Sequence, residues 1–233
     1  AEILMQAIKG SSISNALNAP TTGEATPAIV ALYTELAERI GTLMSTITAG
    51  SIKSVQVRYR GSIAEHDVRM VSTSFAIGLL QRHFDMPINM VNVGVLAKER
   101  GITIEETKSA EVKDVVSSFA ATVVTSKCTH TISGTIFGEK LLRIIGVDGF
   151  DVEMTPSGVV MIIFNDDKPG VIGCVGTVCG KYGINIGTMG VGQKAQEQQA
   201  ILAVSLDRRP DENAIKELQN LEFVNEVYVC KMD

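Results

Sequence analysis

From about residue 157 onward the apolar pattern changes period in an order that few folds accept. Val159 to Phe164 form a near-continuous apolar run, and Val171, Ile172, Val175, Val178, Cys179 and Tyr182 then recur at helical spacing. Ile184 to Val191 and Ala200 to Leu206 read as strands on either side of a polar hairpin tip, Gly192 to Gln198. Pro210-Asp211 opens a second helix carrying Ala214, Ile215 and Leu218, and Phe223 to Cys230 closes as a strand. Strand, helix, strand, strand, helix, strand is the ferredoxin-like split βαβ unit. Pro169 is expected in the first turn of the first helix and Gly183 just past its end.

The preceding stretch has a different order. Ile29, Leu32, Tyr33, Leu36, Ile40, Leu43, Met44 and Ile47 form a wide helical stripe that Gly50 ends. Residues 52–60 alternate as a strand toward Gly61, residues 67–83 are helical, and a further helix runs from about Asn92 to Arg100. The period then becomes two: Val115 to Val124, Thr129 to Phe137, Leu142 to Val147 and Phe150 to Met154 are expected strands. Helices first and strands afterwards predict an α+β domain. Residues 1–9 look like the end of a helix, followed by Gly10-Ser11-Ser12 and a Pro-flanked linker. The expected organisation is a helix remnant and linker at 1–21, an α+β domain at 22–155 and the βαββαβ unit at 156–233.

Composition narrows the partners. The 233 residues suffice for two modest cores or one large one, and 45% hydrophobic with 20% charged residues is the balance of a soluble globular protein. A net charge of −5 without a Lys/Arg run predicts no nucleic-acid partner, and no apolar stretch approaches the ~20 residues of a membrane span. Cys128, Cys174, Cys179 and Cys230 form no C-x-x-C pair, so free thiols in a reducing, cytoplasmic compartment are expected. His66, His83 and His130 are scattered without ligand spacing, which predicts no metal site. No catalytic constellation is evident. The chain starts at Ala1, inside an apparent helix and without Met, and reads as a piece of something longer.

The loop before the first helix of the final unit is the most informative chemistry. Gly170, Gly173 and Gly176 do not have the G-x-G-x-x-G spacing of a dinucleotide site, and Gly173, Gly176 and Gly180 are read instead as a flank of close helix packing. Beyond Pro169, the N–H groups of Gly170, Val171 and Ile172 are expected to be free to bind a carboxylate. Asp167 beside them suits an ammonium group, and Asn165 supplies an amide. Asn185, starting the next strand, is expected at the same end of the sheet. Together they match the polar groups of a free amino acid. The alternative is that Asp167 merely caps the helix and Asn185 closes a turn. Arg58 and Arg60 share a strand face that suits either an anion or plain solvation.

The run Ile163-Phe164-Asn165-Asp166-Asp167-Lys168-Pro169-Gly170-Val171-Ile172-Gly173, followed by Tyr182-Gly183-Ile184-Asn185-Ile186, resembles the signature of ACT domains. Tyr59-Arg60-Gly61, Val91-Asn92, Ala97-Lys98-Glu99-Arg100-Gly101, Glu105-Glu106-Thr107-Lys108, Gly134-Thr135-Ile136-Phe137-Gly138 and Val147-Asp148-Gly149-Phe150 resemble the intervening allosteric substrate-binding domain of long-form D-3-phosphoglycerate dehydrogenases. Asn15-Ala16-Leu17-Asn18-Ala19-Pro20 is similar to the junction after the catalytic half of those enzymes. The resemblance implies a regulatory part without cofactor, taken from an NAD-dependent enzyme of L-serine synthesis. It implies L-serine bound between two paired ACT domains of a homo-oligomer, with Asp167 on the amino group, Asn185 across the interface and Asn165 at the strand end. It also matches Arg143 to one base of an anion site in the intervening domain, although Phe150-Asp151-Val152 brings no second base. Two other readings remain: a purely structural oligomerisation module, and a subunit of an iron–sulfur L-serine dehydratase.

Overall fold

The computed structural model describes residues 27–111, 115–138, 140–194 and 196–232, so the helix remnant and linker expected at 1–21 lie outside the described residues. Helix α1, Ala28–Ile47, buries Tyr33, Leu36, Ile40, Leu43, Met44 and Ile47 of the predicted stripe and half-buries Ile29 and Leu32. It packs on α2, Arg69–Leu80, at a crossing where glycines face each other: a Cβ on Gly41 would lie 2.3 Å from the Phe75 carbonyl oxygen, and one on Gly78 would lie 2.1 Å from that of Glu38. Two helix backbones touch there because neither carries a side chain at the contact. A short third helix, α3, spans Val93–Glu99.

The helices cover one face of a six-stranded sheet of order β2-β1-β3-β4-β5-β6. Its strands are β1 Ile52–Gly61, β2 Ile104–Ser109, β3 Ser117–Thr125, β4 Thr129–Phe137, β5 Leu141–Val147 and β6 Phe150–Met154. All neighbours are antiparallel except β1 and β2. Strand β2 has no counterpart in the periodicity. Its side chains Glu105, Glu106, Thr107 and Lys108 are exposed, and the strand is held at the sheet edge by backbone pairing with β1. β5 and β6 turn through Asp148-Gly149 with φ of 51° and 79°, the positive angles a two-residue hairpin of type I′ requires.

The second sheet has the order β10-β7-β9-β8, from β7 Val159–Asp166, β8 Ile186–Lys194, β9 Gln199–Leu206 and β10 Val224–Lys231. All its bonded pairs are antiparallel, and helices α4, Val171–Lys181, and α5, Glu212–Gln219, pack on one face, as the βαββαβ reading predicts. Gly183, φ 61°, ends α4: Ile184 N–H reaches the Cys179 carbonyl and Gly183 N–H that of Gly180, a Schellman closure. Asp211 caps α5, accepting from Ala214 N–H at 2.8 Å. Asp211→Ala should lower stability by about 1 kcal/mol in urea unfolding, the usual cost of a lost N-cap.

The apolar run of β7 is explained by burial on both faces. Met161 and Ile163 join the core beneath α4 and α5, while Val160 and Ile162 join the core that contains α1 and the first sheet. β9 is divided likewise, with Leu202 and Val204 on one side and Ile201 and Ala203 on the other. The larger core is therefore continuous across residue 155. α1 strengthens that seam: the Arg39 guanidinium donates to the Pro156 carbonyl at 2.6 Å, and the Thr46 hydroxyl donates to Cys230 Sγ at 3.2 Å.

Candidate functional site

The end of β7 and the start of α4 form the candidate site. Pro169 does not lie in the first turn of α4, as the sequence suggests, but one residue before the N-cap. The N-cap is Gly170, in the left-handed region at φ 95°, a conformation that costs glycine little. Glycine has no side chain with which to cap, and no side chain caps the helix, so its first N–H groups are left for another acceptor.

Asp167 stands beside this terminus. Its backbone N–H bonds to the Gln198 carbonyl at 2.8 Å, and its carboxylate accepts from Gln193 Nε2 at 3.0 and 3.1 Å. Gln193 escaped the sequence reading because it falls in what looks like a hairpin tip. β8 in fact continues to Lys194, and alternation puts Gln193 on the same face as Met189. Asn165 is only 3% exposed, and alternation sets it on the helix-covered face with Met161 and Ile163. Its amide nitrogen donates to the Asp166 carbonyl at 2.7 Å, while its buried Oδ1 has no partner. Asp167, Asn165, Gln193 and the α4 N-terminus thus share one corner. The opposite end of α4 is fastened to α5, where Lys181 and Tyr182 donate to Glu217 and hold its carboxyl below the usual range.

Asn185 is not at that corner. Register pairs Val159 with Leu206 and Leu206 with Ile186 at one end of the sheet, and Asp166 with Gln199 and Gln199 with Lys194 at the other. β7 and β8 are therefore parallel, and α4 carries the chain back to the far end. Asn185 bonds to Asp207 and Asp167 to Gln198, nine residues apart along β9, so the two lie roughly 30 Å apart along the strand direction at about 3.3 Å per residue. It is exposed, and its backbone bonds to Asp207. The glycine flank also differs from expectation. A Cβ on Gly173, Gly176 or Gly180 would meet nothing within 4 Å, so this face of α4 packs on no neighbour within the described chain. Ile172 and Val191, 50% and 43% exposed, lie on the helix side of the same edge.

Arg58 and Arg60 do not lie on an open sheet face. They line a cleft of about 850 Å³ between the uncovered face of the first sheet and strands β6 and β8. Neither guanidinium has a hydrogen-bond or ion-pair partner among the described residues. Asp151 and Glu153 from β6 line the same cleft, so its walls carry both signs of charge. Arg143 is not among the lining residues, and its side chain donates to the Leu142 carbonyl. Among the described residues no helix is long and apolar enough to cross a membrane.

The chain matches known proteins along its length. Residues 29–148, just over half of it, match the family described as D-3-phosphoglycerate dehydrogenase intervening domain. It is 33% identical over 94% of its length to the D-3-phosphoglycerate dehydrogenase of Bacillus subtilis, of which it covers 42%. It is 30% identical over 100% of its length to that of Methanocaldococcus jannaschii and 32% over 98% to that of Archaeoglobus fulgidus, covering 44% of each. It therefore spans less than half the length of these relatives. On the match over residues 29–148, the chain belongs to the D-3-phosphoglycerate dehydrogenase intervening-domain family.

Proposed function

We propose that this chain is the non-catalytic, regulatory and oligomerising part of an NAD-dependent D-3-phosphoglycerate dehydrogenase of L-serine synthesis. Its last four strands and two helices act as an ACT domain that binds L-serine as a feedback effector. The observation that carries this reading is the orphaned Oδ1 of buried Asn165, placed beside the Asp167 carboxylate and an uncapped helix N-terminus. A buried acceptor without a partner costs about 1–3 kcal/mol, and a bound hydroxyl or ammonium donor would recover that. The serine carboxylate takes the α4 N–H groups, its ammonium the Asp167 carboxylate, and its hydroxyl or ammonium Asn165.

Asn185 fits this reading only through a second copy. β8 is one of the two edge strands of its sheet, and two such edges pairing antiparallel about a twofold axis bring the start of one β8 beside the end of the other. Asn185 of the partner subunit then stands near Asp167, on the side where Ile172, Val191 and the bare α4 flank need cover. In the preceding half, the Arg58–Arg60 cleft is the place for an anion, with Arg143 outside its lining.

Calorimetry with L-serine, D-serine and glycine tests the effector site. Saturable binding is expected for L-serine, weakened at least tenfold by Asp167→Ala. Absence of saturation with all three at millimolar concentration removes the effector claim. The competing reading, a scaffold that binds no effector, draws on Gln193 already occupying the Asp167 carboxylate. Light scattering separates the two: a scaffold keeps one oligomeric state whether or not serine is present.

A further inference from the structure

Outside the effector corner, one cluster of reactive groups remains unused. The turn from β3 to β4 places Cys128 between Thr125 and His130. The Cys128 sulfur accepts from Ala49 N–H at 3.4 Å and lies 3.3 Å from the Thr125 hydroxyl. His130 Nδ1 is 2.6 Å from Asp148 Oδ2, while Asp148 Oδ1 accepts from Thr131 N–H at 2.7 Å, so the carboxylate is fixed at both oxygens. That leaves the other imidazole nitrogen for the thiol of Cys128, two residues back along the chain. The carboxylate owes its aim to the Asp148-Gly149 hairpin, where Asp148 itself adopts a positive φ.

We propose that Cys128, supported by His130 and Asp148, is a reactive thiol that hydrogen peroxide or a soft electrophile modifies. The arrangement follows the nucleophile–base–orienter order in which a thiol is activated. Cys128 is partly exposed and can be reached, whereas Cys179 and Cys230 are buried. Burial raises the Cys128 thiol, but Thr125, the Ala49 N–H and His130 outweigh it and draw it below its ordinary range. Burial lowers His130, but the bond and charge of Asp148, with a contribution from Cys128, outweigh it and raise the imidazole. Both shifts favour a thiolate–imidazolium pair. With peroxide, the thiolate sulfur attacks one oxygen and the O–O bond breaks. The departing hydroxide takes the imidazolium proton as water, and sulfur, oxidised by two electrons, becomes a sulfenic acid. The inference is independent of the effector reading.

The test is iodoacetamide labelling of the 233-residue chain at short times across pH 6 to 9, read for each cysteine by peptide mass spectrometry. An ordinary thiol loses rate about tenfold per unit below its usual pKa of about 8.5. Cys128 is expected to hold its rate to a distinctly lower pH and, at pH 7, to label about tenfold faster than in His130→Gln. Exposed Cys174 should label alike in both proteins. Hydrogen peroxide followed by dimedone should add one dimedone mass to the Cys128 peptide. An ordinary pH profile for Cys128 in the unaltered chain overturns the proposal whatever the variants do. So does a rate that His130→Gln and Asp148→Asn both leave unchanged.

Discussion

Gly78→Ala is expected to destabilise the chain by about 3 kcal/mol in urea or guanidinium unfolding, the upper part of the range for overpacking a tight interior. Helix propensity alone argues the other way, since alanine in place of glycine gains up to about 1 kcal/mol in a helix. Contact distance decides the sign. The new methyl carbon would sit 2.1 Å from the Glu38 carbonyl oxygen and 2.9 Å from the Thr42 nitrogen, and both are backbone atoms of α1 that no rotamer can move. The two helices must separate, loosening the apolar contacts along α1. Gly41→Ala should act similarly through the Phe75 carbonyl. The double variant should cost less than the sum, because a crossing opened by the first methyl already has room for the second. Gly94→Ala, where an added Cβ meets nothing within 4 Å, should be neutral or mildly stabilising. Equal effects at Gly78 and Gly94 would refute the close-crossing account.

The second large effect is expected at Phe119. Its ring lies 5.4 Å from Tyr59 and 5.8 Å from Phe75, centroid to centroid, and it is fully buried. The three rings join β1, β3 and α2. The other aromatic cluster, Phe150, Phe164 and Tyr228, is built on β6, β7 and β10 and shares none of these rings. Phe119→Ala should therefore cost about 3–5 kcal/mol, the usual range for removing a buried phenyl group and leaving a cavity. Against a typical total of about 5–15 kcal/mol, that is roughly a fifth or more of the stability. Phe119→Leu should lose less than half as much, because most of the volume is retained. Unfolding midpoints of the two variants, compared at equal m-value, check the ordering.

Most elements were legible because each served one dominant role. α1 shows its stripe since one face is buried, and β7 shows an unbroken apolar run since both are. β2 was invisible for the opposite reason: its exposed Glu105, Glu106 and Lys108 carry no periodic signal, and its strand form depends on backbone bonds to β1. The pattern ends β8 at Val191 because Gly192, Gln193 and Lys194 continue it without an apolar side chain; Gly190 and Gly192 face β6. They are glycines because the Glu153 and Asp151 carbonyls of β6 would lie 2.6 and 2.7 Å from any Cβ there. The same break in the apolar pattern conceals Gln193. Asn165 and Asp167 are legible from their closeness in sequence to a helix start, but the place of Asn185 is not, since chain proximity does not give strand direction. The signal existed: a single helix joining two strands of one sheet returns the chain to the end where it began, which makes those strands parallel.

One consequence of β7 and β9 being buried on both sides concerns how this protein can be divided. Severing the backbone near Pro156 would strip Val160, Ile162, Ile201 and Ala203 of their cover and bare the matching surface on the other piece. Neither half would remain in solution by itself. Each would be a sticky slab seeking the other, and mixing the two halves should restore the whole more readily than either folds alone.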